Sequence, residues 1–340
     1  MYRKVVYCEY AFWQEFIKSC PTHVNASERS LEQMQQWIGL YCFLAKSDIV
    51  FDMSLEDFQL EAPQDQYLLS LWQKSAEGAC GLRCKKKNFP YAAELMHEHI
   101  TPRQLSAVYL TTQETTVCQQ QAQRFGVIIL NMEMVFAATH LFKDNGTAFP
   151  SQLARDWNFM RGLLKTQPKI NLSNAMIIAD NYLLYDQQRI QYNLLPILKI
   201  LLPEQLDYEL PYQICIFTED KQNQLRYRLS MLVKTIKNIR PKLNFQLMIY
   251  LAKDTFHDRA IITNNIWIGC GHGFDIFSKN GAIDKSTTIN IVFPFLQSAI
   301  QWADQAYLNL IDDAREIDKQ ADPGQNYWGI KKHGCRLYDF

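Results

Sequence analysis

FHDRAIITNNIWIGCGHGFDIF, residues 256–277, carries the densest chemistry in the 340-residue chain. It opens with His257-Asp258-Arg259, runs through Ala260-Ile261-Ile262 to Thr263-Asn264-Asn265, and resumes as Ile266-Trp267-Ile268. Glycine then recurs at Gly269, Gly271 and Gly273, and Phe274-Asp275-Ile276-Phe277 closes the unit. β-Branched runs on either side of an Asn-Asn pair predict two short strands joined by a tight turn. Glycine at every second position lets the backbone approach a ligand and turn N–H groups toward an anion. A histidine, an arginine and polar amides beside such a loop suit a phosphodiester, offering a nucleophile or acid, a fixed cation and neutral donors. The same residues also fit a plain hairpin in which His257 and Arg259 pair with Asp258 and Asp275.

This stretch resembles the phospholipase D-like domain found at the C-terminus of MIT-domain proteins, with its H-D-R…D-N-G-W…G-R-G-L-D-x-F signature. It is similar, more distantly, to the H-x-K-x-x-x-x-D motif of the phospholipase D superfamily. His257 falls on the motif histidine, Arg259 on the lysine position and Asn264 on the aspartate position. Asn265, Trp267, Gly271, Gly273, Asp275 and Phe277 continue the signature, and His272 stands where the family tends to have arginine. The resemblance runs from about Asn171 to Trp302. It implies that His257 attacks phosphorus while Arg259 and the loop N–H groups hold the nonbridging oxygens and Asn264 fixes the geometry. Asn265, Gly271, His272, Gly273 and Asp275 would line the phosphate. Arginine, unlike lysine, does not give up its proton, and asparagine cannot orient a histidine through charge. The MIT-associated domains look like binders of lipid phosphate, so phosphate recognition is implied more strongly than hydrolysis. With one motif per chain, hydrolysis would call for a homodimer or a partner protein, and the phospholipase D-like site needs no cofactor.

The flanks predict an α/β domain around this unit. Ala175–Ala179, Tyr212–Phe217, Phe245–Leu251 and Ile289–Phe293 read as strands, the last of them final. A helix through Leu201 is interrupted by Pro196, which either kinks it or splits it. The helix over 221–240 carries Arg226, Arg228, Lys234, Lys237 and Arg240 with no acid, and Lys242 extends its charge. It reads as a phosphate-facing surface or as a solvated helix face. Asp180-Asn181, after a strand and before a helix, is placed to line the phosphate site or to cap that helix.

The first half alternates strand, helices, strand, polar turn, helix, glycine and strand, a parallel α/β layout with ligands expected at strand C-terminal ends. Glu9, Gln113, Glu114, Asn131 and Glu133 follow such ends. The arrangement resembles a PIN-like nuclease domain, which implies metal ligation by Glu9, Glu114 and Glu133, with Mg²⁺ or Mn²⁺ as cofactor and Asp52, Glu56 or Asp57 as a further acid. The reading is therefore two α/β domains: a PIN-like unit over 1–140, a linker and connecting helix over 141–168 with Pro150 opening the helix, a phospholipase D-like unit over 169–312, and an irregular tail over 313–340.

With 35 basic and 35 acidic residues, global charge makes no case for nucleic acid, and only local clusters can. The first residues turn polar too quickly for a signal peptide, no run is long enough for a transmembrane segment, and nine scattered cysteines suit a reducing cytoplasm. Cys80-x3-Cys84 with His97-x-His99 fits no common zinc spacing. A nuclease or phosphodiesterase, extended by fold-level analogy to a prokaryotic antiviral defence effector, competes with a non-catalytic module for nucleic-acid or lipid-headgroup phosphate and with a structural partner subunit.

Overall fold

Val5–Cys8 (β1) is the hub of a parallel sheet, three of its four residues buried. It pairs with Asp48–Phe51 (β2) on one side and Val108–Leu110 (β4) on the other. Gly81–Cys84 (β3) and Ile128–Leu130 (β5) complete the order β3-β2-β1-β4-β5. The computed structural model describes residues 4–20, 31–85, 107–137, 147–150, 156–165, 172–206, 211–219, 224–252, 256, 259–279, 287–292, 301–329 and 335–338.

Parallel neighbours need crossovers, which helices supply here. Tyr10–Lys18 (α1) and Leu31–Leu44 (α2) lie between β1 and β2 in the chain. Leu55–Glu61 (α3) and Gln66–Ala76 (α4) lead to β3, and Thr115–Phe125 (α5) joins β4 to β5. Helix α1 buries Phe12, Trp13 and Phe16, with Phe16 stacked on Trp37 at 4.8 Å and Trp13 edge-on to Phe51 at 5.8 Å. Met132–Ala137 (α6) follows β5.

The second sheet is mixed, and its order is β13-β9-β8-β7-β10-β11-β12-β6. Ala175–Ala179 (β7), Tyr212–Thr218 (β8) and Phe245–Leu251 (β9) run parallel. Arg259–Thr263 (β10) lies antiparallel to β7 and forms a hairpin with Trp267–Cys270 (β11) through Asn264-Asn265, as the sequence predicts. Thr288–Val292 (β12) and Thr147–Pro150 (β6) extend one edge, and Tyr327–Gly329 (β13) closes the other. The fold class is thus α/β with one parallel and one mixed sheet.

Several expectations give way here. Pro150 ends strand β6, and the helix begins only at Asn158, as Asn158–Lys165 (α7). Strand β12 is not the last, because β13 follows Gln301–Lys319 (α11) from within the supposed irregular tail. Of the two alternatives at Pro196 the split does not occur: Gln187–Arg189 (α8) passes through a π turn, Ile190–Leu194, into Leu195–Leu201 (α9). The wider i→i+5 turn absorbs the hydrogen bond that proline cannot donate. The predicted helix over 221–240 is observed as Leu225–Ile239 (α10). The segment 85–88 past Lys85 and the His97-x-His99 pair lie outside the described residues, and all nine cysteines are free.

The two sheets touch closely. Gly126 caps α5 in the left-handed region (φ 66), and a Cβ there would sit 2.3 Å from the carbonyl oxygen of Ser173. Asn174 Nδ2 donates to Phe125 O at 2.9 Å across the same seam. Among the described residues no helix is long and apolar enough to cross a membrane.

Candidate functional site

Strand β10 begins at Arg259, level with the end of β7, because Ala260 pairs with Ala179. Here the parallel part of the second sheet presents its C-terminal edge, the edge where α/β folds collect ligands. Arg259 Nη1 donates to the Gly271 carbonyl at 3.3 Å, and its guanidinium lies over the Tyr182 ring at 5.7 Å. Gly271 and His272 are exposed at the same edge, whereas Gly273 through Phe277 are buried.

The buried part explains why the loop holds its shape. Asp180, fully buried, accepts from Tyr182 N at 2.7 Å and Leu183 N at 2.9 Å, and its other oxygen accepts from Phe274 N at 2.7 Å. One carboxylate therefore caps the turn after β7 and tethers the glycine loop above it. Burial raises its pKa despite these donors, and the charge of Asp275 adds to the rise. Gly273 has φ +96, and a Cβ there would lie 3.0 Å from Asp275 Oδ1 and 3.1 Å from Asp180 Oδ2. The Asn193 carboxamide holds the far end of the loop, accepting from Phe277 N at 2.9 Å and from Trp157 Nε1 at 3.1 Å, while donating to Phe277 O at 2.9 Å.

The loop is poorer in free N–H groups than its glycines suggest. Gly273 N donates to Cys270 O at 3.3 Å, Phe274 N donates to Asp180, and the His272 N–H faces the Cys270 thiol, which leaves Gly271 as the candidate backbone donor beside Arg259. Asp275, expected at the phosphate, is buried with Oδ2 3.4 Å from Arg189 Nε. Arg189 in turn lies over the Tyr185 ring at 4.9 Å. This second arginine–tyrosine pair escaped the sequence reading; the Tyr182-x-x-Tyr185-x-x-x-Arg189 spacing was its only signal.

His257 lies outside the described residues. Asn264 and Asn265 lie at the opposite end of β10 from Arg259, roughly 16 Å along an extended strand. Asn264 is buried, and its Oδ1 accepts from Asn174 N at 2.9 Å and Ala175 N at 3.2 Å while its Nδ2 donates to Asn174 Oδ1 at 3.1 Å. Asn265 Nδ2 donates to Leu172 O at 2.5 Å. Both amides register the hairpin turn against the start of β7. The expectation that they flank Arg259 does not hold, because one strand length separates the two ends.

Glu9 is buried, with Oε1 accepting from Thr111 Oγ1 at 2.8 Å and Oε2 from Thr112 N at 2.8 Å and Thr112 Oγ1 at 3.0 Å. Asp52 is close enough for Glu9 to add to a pKa raised mainly by burial, but its Oδ1 accepts from Tyr10 N at 2.6 Å. Glu114 and Glu133 are exposed, and Glu133 accepts from Thr115 Oγ1 at 2.5 Å. Among the described residues no three His, Cys, Asp or Glu side chains assemble as a metal cluster. The donor set therefore does not fit Mg²⁺ or Mn²⁺ as the PIN-like resemblance implied.

An arginine and a pinned glycine loop stand at the C-terminal edge of the parallel strands of an α/β unit. Residues 167–293 match the family model described as phospholipase D-like domain at C-terminus of MIT. The match covers less than half of the chain and does not reach the first sheet, so the PIN-like resemblance gains nothing from it. No curated protein matches the chain. A domain of this kind is suited to phosphodiester chemistry or to phosphodiester binding.

Proposed function

We propose that the phospholipase D-like unit is a phosphodiester-binding module that grips its ligand at Arg259 and the Gly271 backbone. The observation that carries this reading is the arrangement of Arg259: its guanidinium donates to Gly271 O and lies over Tyr182, at the mouth of a loop anchored by Asp180 and Asn193. A planar cation held in place can take two phosphate oxygens at once with little ordering cost. Asn264, committed to Asn174 and Ala175, is not available to orient a nucleophile.

The second reading is a nuclease using His257 without metal, in a nucleic-acid-directed effector of the antiviral kind. The phospholipase D-like match over 167–293 suits phosphodiester cleavage as well as binding, and a homodimer or partner protein would supply the second half-site. Incubating the protein with labelled RNA and DNA, with Mn²⁺ and separately with EDTA, separates the two. Binding without cleavage supports the module; cleavage that persists in EDTA and disappears in His257→Ala supports the nuclease.

A further inference from the structure

Helix α10 carries a basic face that the Arg259 site does not use. Between Leu225 and Lys242 the sequence holds no acid. Two of its six cations are structural. Arg228 is buried and donates to Tyr185 O at 2.6 Å, and Arg240 is buried and donates to Leu202 O at 3.1 Å and to Lys199 O. The other four, Arg226, Lys234, Lys237 and Lys242, are exposed, and none has an ion-pair partner among the described residues. Spacings of eight and three residues put Arg226, Lys234 and Lys237 on one side of the helix. Tyr227 stands beside them at 71 % exposure, the most exposed large apolar side chain among the described residues.

The ends of this face meet two features. Arg228 ties the first turns of α10 to the turn holding Tyr182, over which Arg259 lies. The other end, at Lys242, opens on a cavity of about 1110 Å³ between the two sheets, lined by Gln120, Gln123, Arg124, Glu204 and Gln205. The charge of Glu204 is drawn toward Arg240 Nη1, 3.3 Å away. The helix between these ends spans about 22 Å, enough for several phosphates in a row.

We propose that the exposed face of α10 is a track for single-stranded nucleic acid, running from the Arg259 site to the cavity at Lys242. This rests on the phosphodiester-binding reading of Arg259 and names the ligand as a polymer. A row of cations follows a backbone, an exposed tyrosine offers a stacking surface for an unpaired base, and glutamine amides in the cavity match base edges. A duplex hides its base faces and cannot enter the cavity. A lipid surface would call for an apolar wedge along the helix, and Tyr227 is the only exposed large apolar residue on α10.

The test is fluorescence anisotropy of labelled RNA and DNA strands of about 2 and about 20 nucleotides, bracketing the site sizes of single-strand binders, the shorter too short to follow the helix. Wild type, the double variant Lys234→Glu/Lys237→Glu and Arg259→Ala are compared, with anionic phosphatidylserine vesicles as a separate arm. The long strand should bind more tightly than the short one. The double variant should weaken the long strand by about tenfold or more and reduce the slope of log affinity against log salt by about 1.4, some 0.7 for each lost contact. It should leave the short strand and the thermal melt nearly unchanged. Equal affinity for both lengths, an unaltered long-strand affinity in the double variant, or binding to vesicles alone overturns the track. If Arg259→Ala alone proves silent, the Arg259 reading fails instead.

Discussion

Lys4 Nζ donates to the backbone oxygen of Asn264 at 2.7 Å, joining the first strand of one sheet to the hairpin turn of the other. The ammonium is buried and lies 3.4 Å from Asn265 Oδ1 as well. Burial lowers its pKa from 10.5 to about 7. The folded chain therefore releases this proton at lower pH than the unfolded chain does, and between those values the unfolded state binds more protons. Stability must then rise with pH through that window, by up to about 1.4 kcal/mol per pH unit. Urea unfolding at several pH values between about 7 and 10 should show the rise in wild type and lose it in Lys4→Met. Parallel profiles for the two proteins would refute the buried-ammonium account.

Asn264→Ala should behave as a stability variant. Removing the carboxamide leaves Asn174 N and Ala175 N without their acceptor in the interior. Each such loss costs about 1–3 kcal/mol, so a fall of roughly 2–6 kcal/mol is expected. Phosphate affinity, measured at a temperature where the variant is still folded, should match wild type. A variant as stable as wild type but unable to bind or cleave would return Asn264 to the ligand.

What the sequence made legible was local. Strands β10 and β11 were readable because β-branched runs alternate around an Asn-Asn turn, and Arg259 because a strand's first residue lies at its edge. Asn264 was misplaced because a motif spacing of five residues, read along a strand, spans the sheet instead of returning to the same end. Pro150 was misread because a proline at an edge strand and one at a helix start look alike in sequence, and β6 is the outermost strand. Strand β13 is the opposite edge, three residues long, and draws its register from β9 rather than from its own pattern. The burial of Lys4 depends on a partner 260 residues away, and no local pattern records it.

Glu9 separates a structural from a metal-binding role. Its carboxylate receives one backbone and two hydroxyl donors from Thr111 and Thr112. Glu9→Ala should lower stability by about 2–3 kcal/mol, the range for hydrogen bonds to a charged group. The loss should be the same with and without Mn²⁺, since a metal bound only by the folded state would raise wild-type stability by mass action. A Mn²⁺-dependent increase in wild type that vanishes in the variant would restore the metal role.

Gly271 and Gly273 should respond oppositely to alanine. At Gly271 an added Cβ meets nothing within 4 Å, so Gly271→Ala should melt like wild type. At Gly273 the backbone has φ +96 and the new Cβ would press on Asp275 and Asp180. Strain of this kind costs about 1–3 kcal/mol. Because Asp180 also tethers Phe274, Gly273→Ala should weaken phosphate binding along with stability. Thermal melts and one phosphate titration of each variant decide it; equal behaviour of the two alanines would mean that the loop is not pinned as described.

The strongest demand falls on Arg259. Its guanidinium donates to Gly271 O and lies over Tyr182, a partly buried ring. Arg259→Ala should fold, which a thermal melt checks. It should weaken phosphate-ligand binding by about 1.5–3 kcal/mol, the usual worth of a charge-assisted contact, which is some 10- to 150-fold in affinity. Arg259→Lys should recover only part of this, because an ammonium cannot present two parallel donors to two phosphate oxygens. His257→Ala should reduce binding less than Arg259→Ala, since a neutral imidazole offers one ordinary hydrogen bond. Titration at one fixed salt concentration ranks the four proteins, and wild-type affinity in Arg259→Ala would remove this edge of the sheet as the phosphate site.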